Sequence, residues 1–240
     1  MMSSYYNIVQ ETIRTRIRAD GGDSKKKGTH AYHLEKARAT IFSKLVLLLN
    51  TLKTNSAFSK FQLTVGGRFP RDEYEELIGC MQRLLMWCSL GSFASTTFEV
   101  REAGKEGPTE WSSDFRKLLA SVNITSHRVT MLLSMLSSSL SSGQPLPPYM
   151  DMPEPFQFAK QLESIDRDIL SIRHIAEPEY SAFAVLQIAT QCINTDIAKL
   201  TSHVKNLVGE VDFSFHAIKA SSVSSNATLV GSVDEKDKEA

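Results

Sequence analysis

The sequence predicts an all-α protein, built as an antiparallel bundle of long helices with a Pro-rich crossover and a disordered C-terminal tail. Apolar residues recur at spacings of three and four over most of the chain, the period of a helix with one buried face. Three pieces of punctuation edge those stripes: Gly67-Arg68-Phe69-Pro70, Gly143-Gln144-Pro145-Leu146-Pro147-Pro148-Tyr149, and Leu207-Val208-Gly209-Glu210-Val211-Asp212-Phe213. Beyond Phe215 the residues turn short and polar, with too little apolar surface to offset the entropy of ordering.

Residues 5–18 read as a short basic helix with Ile8 or Val9, Ile13 and Ile17 on one side. Gly21-Gly22-Asp23-Ser24-Lys25-Lys26-Lys27-Gly28 then reads as a mobile basic linker. From about His30 a long helix sets Leu34, Ala37, Ile41, Leu45, Leu48 and Leu52 on one face. Pro70 suits the first turn of the next helix, where its missing N–H costs nothing, and Asp72 and Glu73 complement the positive helix end. Its stripe is Tyr74, Leu77, Met81, Leu84 and Cys88.

Glu99 to Glu110 is polar, holds two glycines and a proline, and reads as a loop; Thr109 then caps a short helix carrying Trp111, Phe115, Leu118 and Leu119. A helix from about Ile124 to Ser142 ends at Gly143, and Pro145 blocks its continuation. Phe158, Leu162, Ile165, Ile169 and Ile172 mark another helix. The last runs from Pro178 to Gly209 with Phe183, Leu186, Thr190, Ile193, Ile197, Leu200, Val204 and Leu207 as its stripe. A stripe that long must be covered by other long helices, in a bundle or, as the competing arrangement, in a coiled-coil dimer. The chain therefore divides into a basic arm and linker (1–29), a helical domain (30–215) and a tail (216–240).

The 240 residues carry 27 Lys and Arg against 27 Asp and Glu, so the molecule as a whole has no bias toward polyanions. Residues 1–53 are different, with ten basic against four acidic side chains. Arg14, Arg16, Arg18, Lys25, Lys26 and Lys27 suit contact with lipid head groups at an anionic membrane surface, with a merely solvated arm as the alternative. Nucleic acid is disfavoured, since aromatic interleaving and a recognisable binding fold are missing. Cys80, Cys88 and Cys192 lie in apolar helical patterns, as thiols of a reducing compartment do. No strictly aliphatic run approaches the roughly 20 residues of a membrane span, and the N-terminus lacks a signal-like apolar stretch, which implies a soluble cytoplasmic chain if the sequence is complete.

Enzyme chemistry finds no foothold. His30 and His33 lack a third metal ligand. Glu163, Asp166, Arg167 and Asp168 fall opposite an apolar stripe and read as a solvated face, and the serines from Ser137 to Ser142 sit in no nucleophile elbow. No phosphate-binding glycine loop is present. Catalytic, cofactor and metal residues are thus none; the candidates of note are architectural, namely Arg68, Pro70 and Tyr74 at a helix start, Pro147, Pro148 and Tyr149 in the crossover, and Gly209, Glu210 and Asp212 at the close.

Four motifs in order carry a family resemblance over roughly residues 30–215. Arg68-Phe69-Pro70 leading to Tyr74, Ser142 to Tyr149, Tyr180-Ser181-Ala182-Phe183-Ala184-Val185, and Leu207 to Phe213 resemble the cytosolic C-terminal region of fungal transporters of the endoplasmic reticulum or plasma membrane. Those transporters are related to aromatic acid exporters and to a brefeldin A sensitivity protein. The resemblance implies transmembrane helices upstream and a cytosolic helical domain at the membrane face, accessory to export of small organic, aromatic acids. The departure is that the chain starts where the last span should have ended. A stand-alone helical module that binds a protein partner is the alternative.

Overall fold

The computed structural model describes residues 1–59, 69–102, 109–121, 127–148, 150, 154 and 156–211. The elements are α1 (Met2–Arg18), α2 (His30–Phe58), α3 (Arg71–Ala94), α4 (Thr96–Glu102), α5 (Glu110–Ser121), α6 (Arg128–Ser142), α7 (Gln157–Ile165) and α8 (Pro178–Val208). The fold is all-α, and the extended pairing among the described residues is an isolated parallel bridge between Leu146 and Glu210.

Local chemistry sets most helix ends. The Thr29 hydroxyl accepts from the Tyr32 N–H at 3.2 Å to start α2, and Thr109 accepts from Ser112 N–H at 3.2 Å to start α5. Pro178 opens α8 at a position where no N–H is needed. Gly143, at φ 67°, ends α6 by donating to the Ser139 carbonyl at 2.8 Å.

The longest interface joins α3 and α8. His203 Nδ1 lies 2.7 Å from Glu73 Oε2, Arg83 Nε 2.7 Å from Asp196 Oδ1, and Gly91 lies against Leu186. Partners descend along α8 as they ascend along α3, so this pair runs in opposite directions. Asp196 is 4% exposed inside the pair and also accepts from Trp87 Nε1 at 3.1 Å. A buried carboxylate is tolerated there because two donors replace its water.

Against this pair the chain builds two apolar clusters. One gathers Tyr5, Val9, Leu45, Leu49, Leu84, Leu133, Leu146, Ile197 and Val204. The other is aromatic: Trp111 stacks on Phe115 at 4.6 Å, Phe115 meets Phe183 edge-on at 5.1 Å, and Trp111 Nε1 donates to the Ile169 carbonyl at 2.7 Å. Ile13 packs against both clusters.

Five expectations change. Residues 2–18 are not an arm: Met2, Tyr5, Tyr6, Val9 and Ile17 are buried and α1 packs against α2, α3, α4 and α6. The linker is held as a turn, with the Ala31 N–H donating to the Gly21 carbonyl and the Thr29 hydroxyl to the Asp23 carbonyl. A Cβ on Gly21 would lie 2.1 Å from the Thr15 methyl, so any larger residue there would force Thr15 to shift. On α2, Leu45 and Leu49 are buried while Leu48 and Leu52 are exposed. The run from Leu45 to Leu49 is apolar all round, so period alone could not choose its face.

Residues 96–102, expected in part as loop, continue as α4 with Phe98 buried. Finally α7 stops at Ile165 rather than reaching Ile172. Asp166 turns extended and its carboxylate accepts from the Asp168 N–H at 2.9 Å, which leads into short 3₁₀ turns at Asp168–Leu170 and Ile172–His174. Ile165 and Ile172 consequently face outward while Ile169 stays buried.

Residues 71–99 are long and apolar enough to cross a membrane by length and composition, an 18-residue window among them having mean hydropathy 1.2. A count of aliphatic runs misses the segment because Gly, Cys, Met, Phe and Trp make up its apolar character. Here its buried side packs on α1, α2 and α8.

Since α1 supplies the core rather than decorating it, deletion of residues 2–18 should abolish cooperative thermal unfolding, as read by far-ultraviolet circular dichroism. A dispensable arm would leave the melting temperature within a few degrees.

Candidate functional site

The three punctuation motifs, separated in sequence, come together at one end of the bundle. Leu146 is fully buried; its N–H donates to the Gly209 carbonyl at 3.0 Å and its carbonyl accepts from the Val211 N–H at 2.8 Å. This clasp fastens the segment after α6 to the end of α8. Pro147 and Pro148 are half-buried beside it, and Lys205 Nζ meets Glu210 Oε1 at 2.9 Å. Gly209 has φ 84° and ψ 177°, a region essentially reserved for glycine.

The first motif reaches the same end through α3, whose Glu73 accepts from Asn206 Nδ2 at 3.2 Å as well as facing His203. The His203 contact holds the Glu73 carboxyl below the usual range. Pro70 directly precedes α3, and the Phe69 ring stacks on Tyr74 with centroids 4.7 Å apart. Arg68, Tyr149 and Asp212 lie outside the described residues.

Beside these motifs opens an apolar groove of about 840 Å³. Leu45, Leu48, Leu49 and Leu52 of α2 form one wall; Phe69, Tyr74, Leu77 and Met81 form another. Met1 and Met2, Leu136 and Leu140, and Leu200 and Val204 complete the lining. Among the described residues no charged side chain lines it, and their polar groups are hydroxyls and the amide of Asn55. The Ser56 hydroxyl is buried there without a hydrogen-bond partner among the described residues. Such a surface recognises carbon, with the unpartnered Ser56 hydroxyl available to fix orientation.

The basic residues separate into three settings. Arg16 points inward, its side chain 10% exposed: Nη1 donates to the Ser92 carbonyl at 2.7 Å and to the Ser95 hydroxyl at 3.0 Å, Nε faces Glu99 at 3.0 Å and Nη2 faces Glu35 at 3.4 Å. It is therefore a tie between α1, α2, α3 and α4, and is not presented to a lipid surface. Arg14 and Arg18 line a second cleft between α1, α6, α7 and α8. Lys25, Lys26 and Lys27 are exposed on the turn after α1. About 25 Å of helix separates that turn from Met1, well beyond a Debye length of ~8–10 Å, so the lysines and the groove act on different surroundings.

Among the described residues no group of His, Cys, Asp and Glu could hold a metal ion, and His30 and His33 are exposed. Glu163 and Asp168 are exposed on either side of the Asp166 turn, far from any converging geometry. Cys80 and Cys88 are buried, and burial pushes the Cys88 thiol up to about 12, which makes it a poor nucleophile. Sequence reasoning missed the groove and the Asp196 pair. Asp196 did leave a trace, as an acidic residue adjoining the buried stripe of α8.

A family model for the brefeldin A-sensitivity protein 4-like domain matches residues 2–212. No curated protein matches the chain, and no solved structure matches it. The match begins with α1 and stops just past the clasp, so the clasp closes the unit. Replacing Gly209 with Ala should then lower stability by about 2 kcal/mol, seen as a melting temperature several degrees lower. An unchanged melting temperature would show that the clasp contributes nothing to closure.

Proposed function

The chain belongs to the brefeldin A-sensitivity protein 4-like family, and from that premise we propose that it serves as the cytosolic accessory module of a membrane transporter for small organic, aromatic acids. The observation that carries this reading is the apolar groove at the end of the bundle where the three motifs converge. The transporter context comes from the resemblance of those motifs, which implies membrane spans preceding residue 1. Met1, Met2, Ser3 and Ser4 form part of the groove wall, so a preceding span would meet the bundle at the groove.

In this reading the groove receives an apolar helix of the membrane part. Leu48 and Leu52 offer exposed carbon for the contact, and the side chains of the described residues that line the groove include no ion to be desolvated when the helix seats. Lys25, Lys26 and Lys27, at the other end of α1, then face away from that joint.

The test is fractionation of the tagged protein expressed from its own locus, with a photo-crosslinking residue placed at Leu48. The reading expects a carbonate-resistant membrane pool and a crosslink to membrane-spanning sequence. Leu48→Glu with Leu52→Glu should reduce that crosslink at least tenfold while leaving the melting temperature within a few degrees, both positions being exposed. A carbonate-extractable protein crosslinked to a soluble partner would overturn the transporter reading and leave a free-standing interaction module.

A further inference from the structure

The second cleft, at the other half of α1, has a chemistry the groove lacks. It encloses about 410 Å³, the size of a small-molecule site. Its floor is apolar and partly aromatic: Ile13, Ile17 and Leu186 lie beside the rings of Phe158 and Phe183, which meet at 6.0 Å and 65°. Its rim is basic. Arg14, Arg18 and Arg128 all line it, and Glu154 is the one lining carboxylate among the described residues.

Two of those arginines are uncommitted. Arg14 Nη1 is 3.2 Å from Glu11, but Arg18 and Arg128 have no hydrogen-bond or ion-pair partner among the described residues. The register of α1 against α6 explains why they share the cleft. Thr130 donates to Asn7, and the Ser3 and Ser134 hydroxyls lie 3.3 Å apart, so the two helices pass in opposite directions. Arg128 therefore stands near Gln10, with Arg14 and Arg18 following at successive turns of α1.

Phe156 marks the mouth. It adopts φ 53° and ψ 23°, a left-handed conformation that bulky residues avoid, and it is 45% exposed. Strain of this kind persists where the surroundings hold it and gathers at ligand-binding positions. Here it keeps an aromatic ring at the rim of an otherwise basic opening.

We propose that this cleft is a binding site for a small organic anion, with a flat apolar body on the Phe158–Phe183 floor and its acid group at the rim lined by Arg14, Arg18 and Arg128. Guanidinium groups suit this task because they present paired N–H donors to a carboxylate or sulfonate and stay charged at every accessible pH. Gln187 and Asn194, also in the lining, supply neutral donors and acceptors for substituents on the body. The site stands on the cleft alone. It holds whether the groove seats a membrane helix or a soluble partner.

The experiment is isothermal titration of the purified 240-residue chain with 2-naphthoate, naphthalene-2-sulfonate and the uncharged 2-naphthamide. Both acids should bind at one site per chain, and the amide at least tenfold more weakly. Arg18→Gln and Arg128→Gln should each weaken acid binding about fivefold or more and leave amide binding unchanged. Neither substitution should move the melting temperature, because both side chains are exposed. Equal affinity for acid and amide, an unaltered affinity in the double variant, or no binding by either acid below about 1 mM to the folded chain would each overturn the proposal. None of these results bears on the membrane crosslink that tests the groove.

Discussion

The architecture depends on the burial of α1. This helix carries three arginines in five residues, Arg14, Arg16 and Arg18, yet its other side lies in the core. Tyr5 is fully buried and its phenol meets the Ser89 hydroxyl at 3.1 Å. Arg16 makes this possible. Its guanidinium reaches back to the Ser92 carbonyl and the Ser95 hydroxyl at the end of α3, and to Glu35 and Glu99 on α2 and α4. A charge so enclosed is tolerable only because its donors find acceptors on three neighbouring elements. The same contacts fix where α3 breaks at Ser95 into α4 and how α2 returns after the turn at Gly21.

That dependence explains which parts of the fold were legible in sequence. α8 was readable from Pro178 to Gly209 because one helix face stays covered for its whole length. The ends of α5 and α6 were readable because Thr109 and Gly143 act locally. The role of α1 was not: its apolar side was visible, but its positive charge and the glycines that follow it read as an arm and linker. A linear reading cannot know that Arg16 will meet residues of three later helices. The face of α2 was hidden for another reason: five consecutive aliphatic residues from Leu45 leave the choice to tertiary packing, which buried Leu45 and Leu49 and left Leu47 and Leu48 outside. The α7 break lay in Asp166, a residue whose side chain competes with the helix for backbone N–H groups.

The candidate site was legible as motifs but not as a place. Pro70, Leu146 and Gly209 could be recognised individually as punctuation. Their convergence follows from the opposed directions of α3 and α8 and from the Leu146–Gly209 clasp. α1 then relates the two hollows of the molecule. Its first residues line the apolar groove, and its second half lines the basic cleft. One continuous helix thus separates a surface built for carbon from one built for an anion attached to carbon.

α1 belongs to the cooperative core of this fold. Native-state hydrogen exchange measures that directly, by comparing the opening free energy of amides around Val9 with those around Ile197, both among the most buried positions. If α1 is integral, the two sets open together at the global unfolding free energy and respond equally to added denaturant. Fast exchange around Val9, with Ile197 still protected, would contradict the account and return α1 to the status of a peripheral arm.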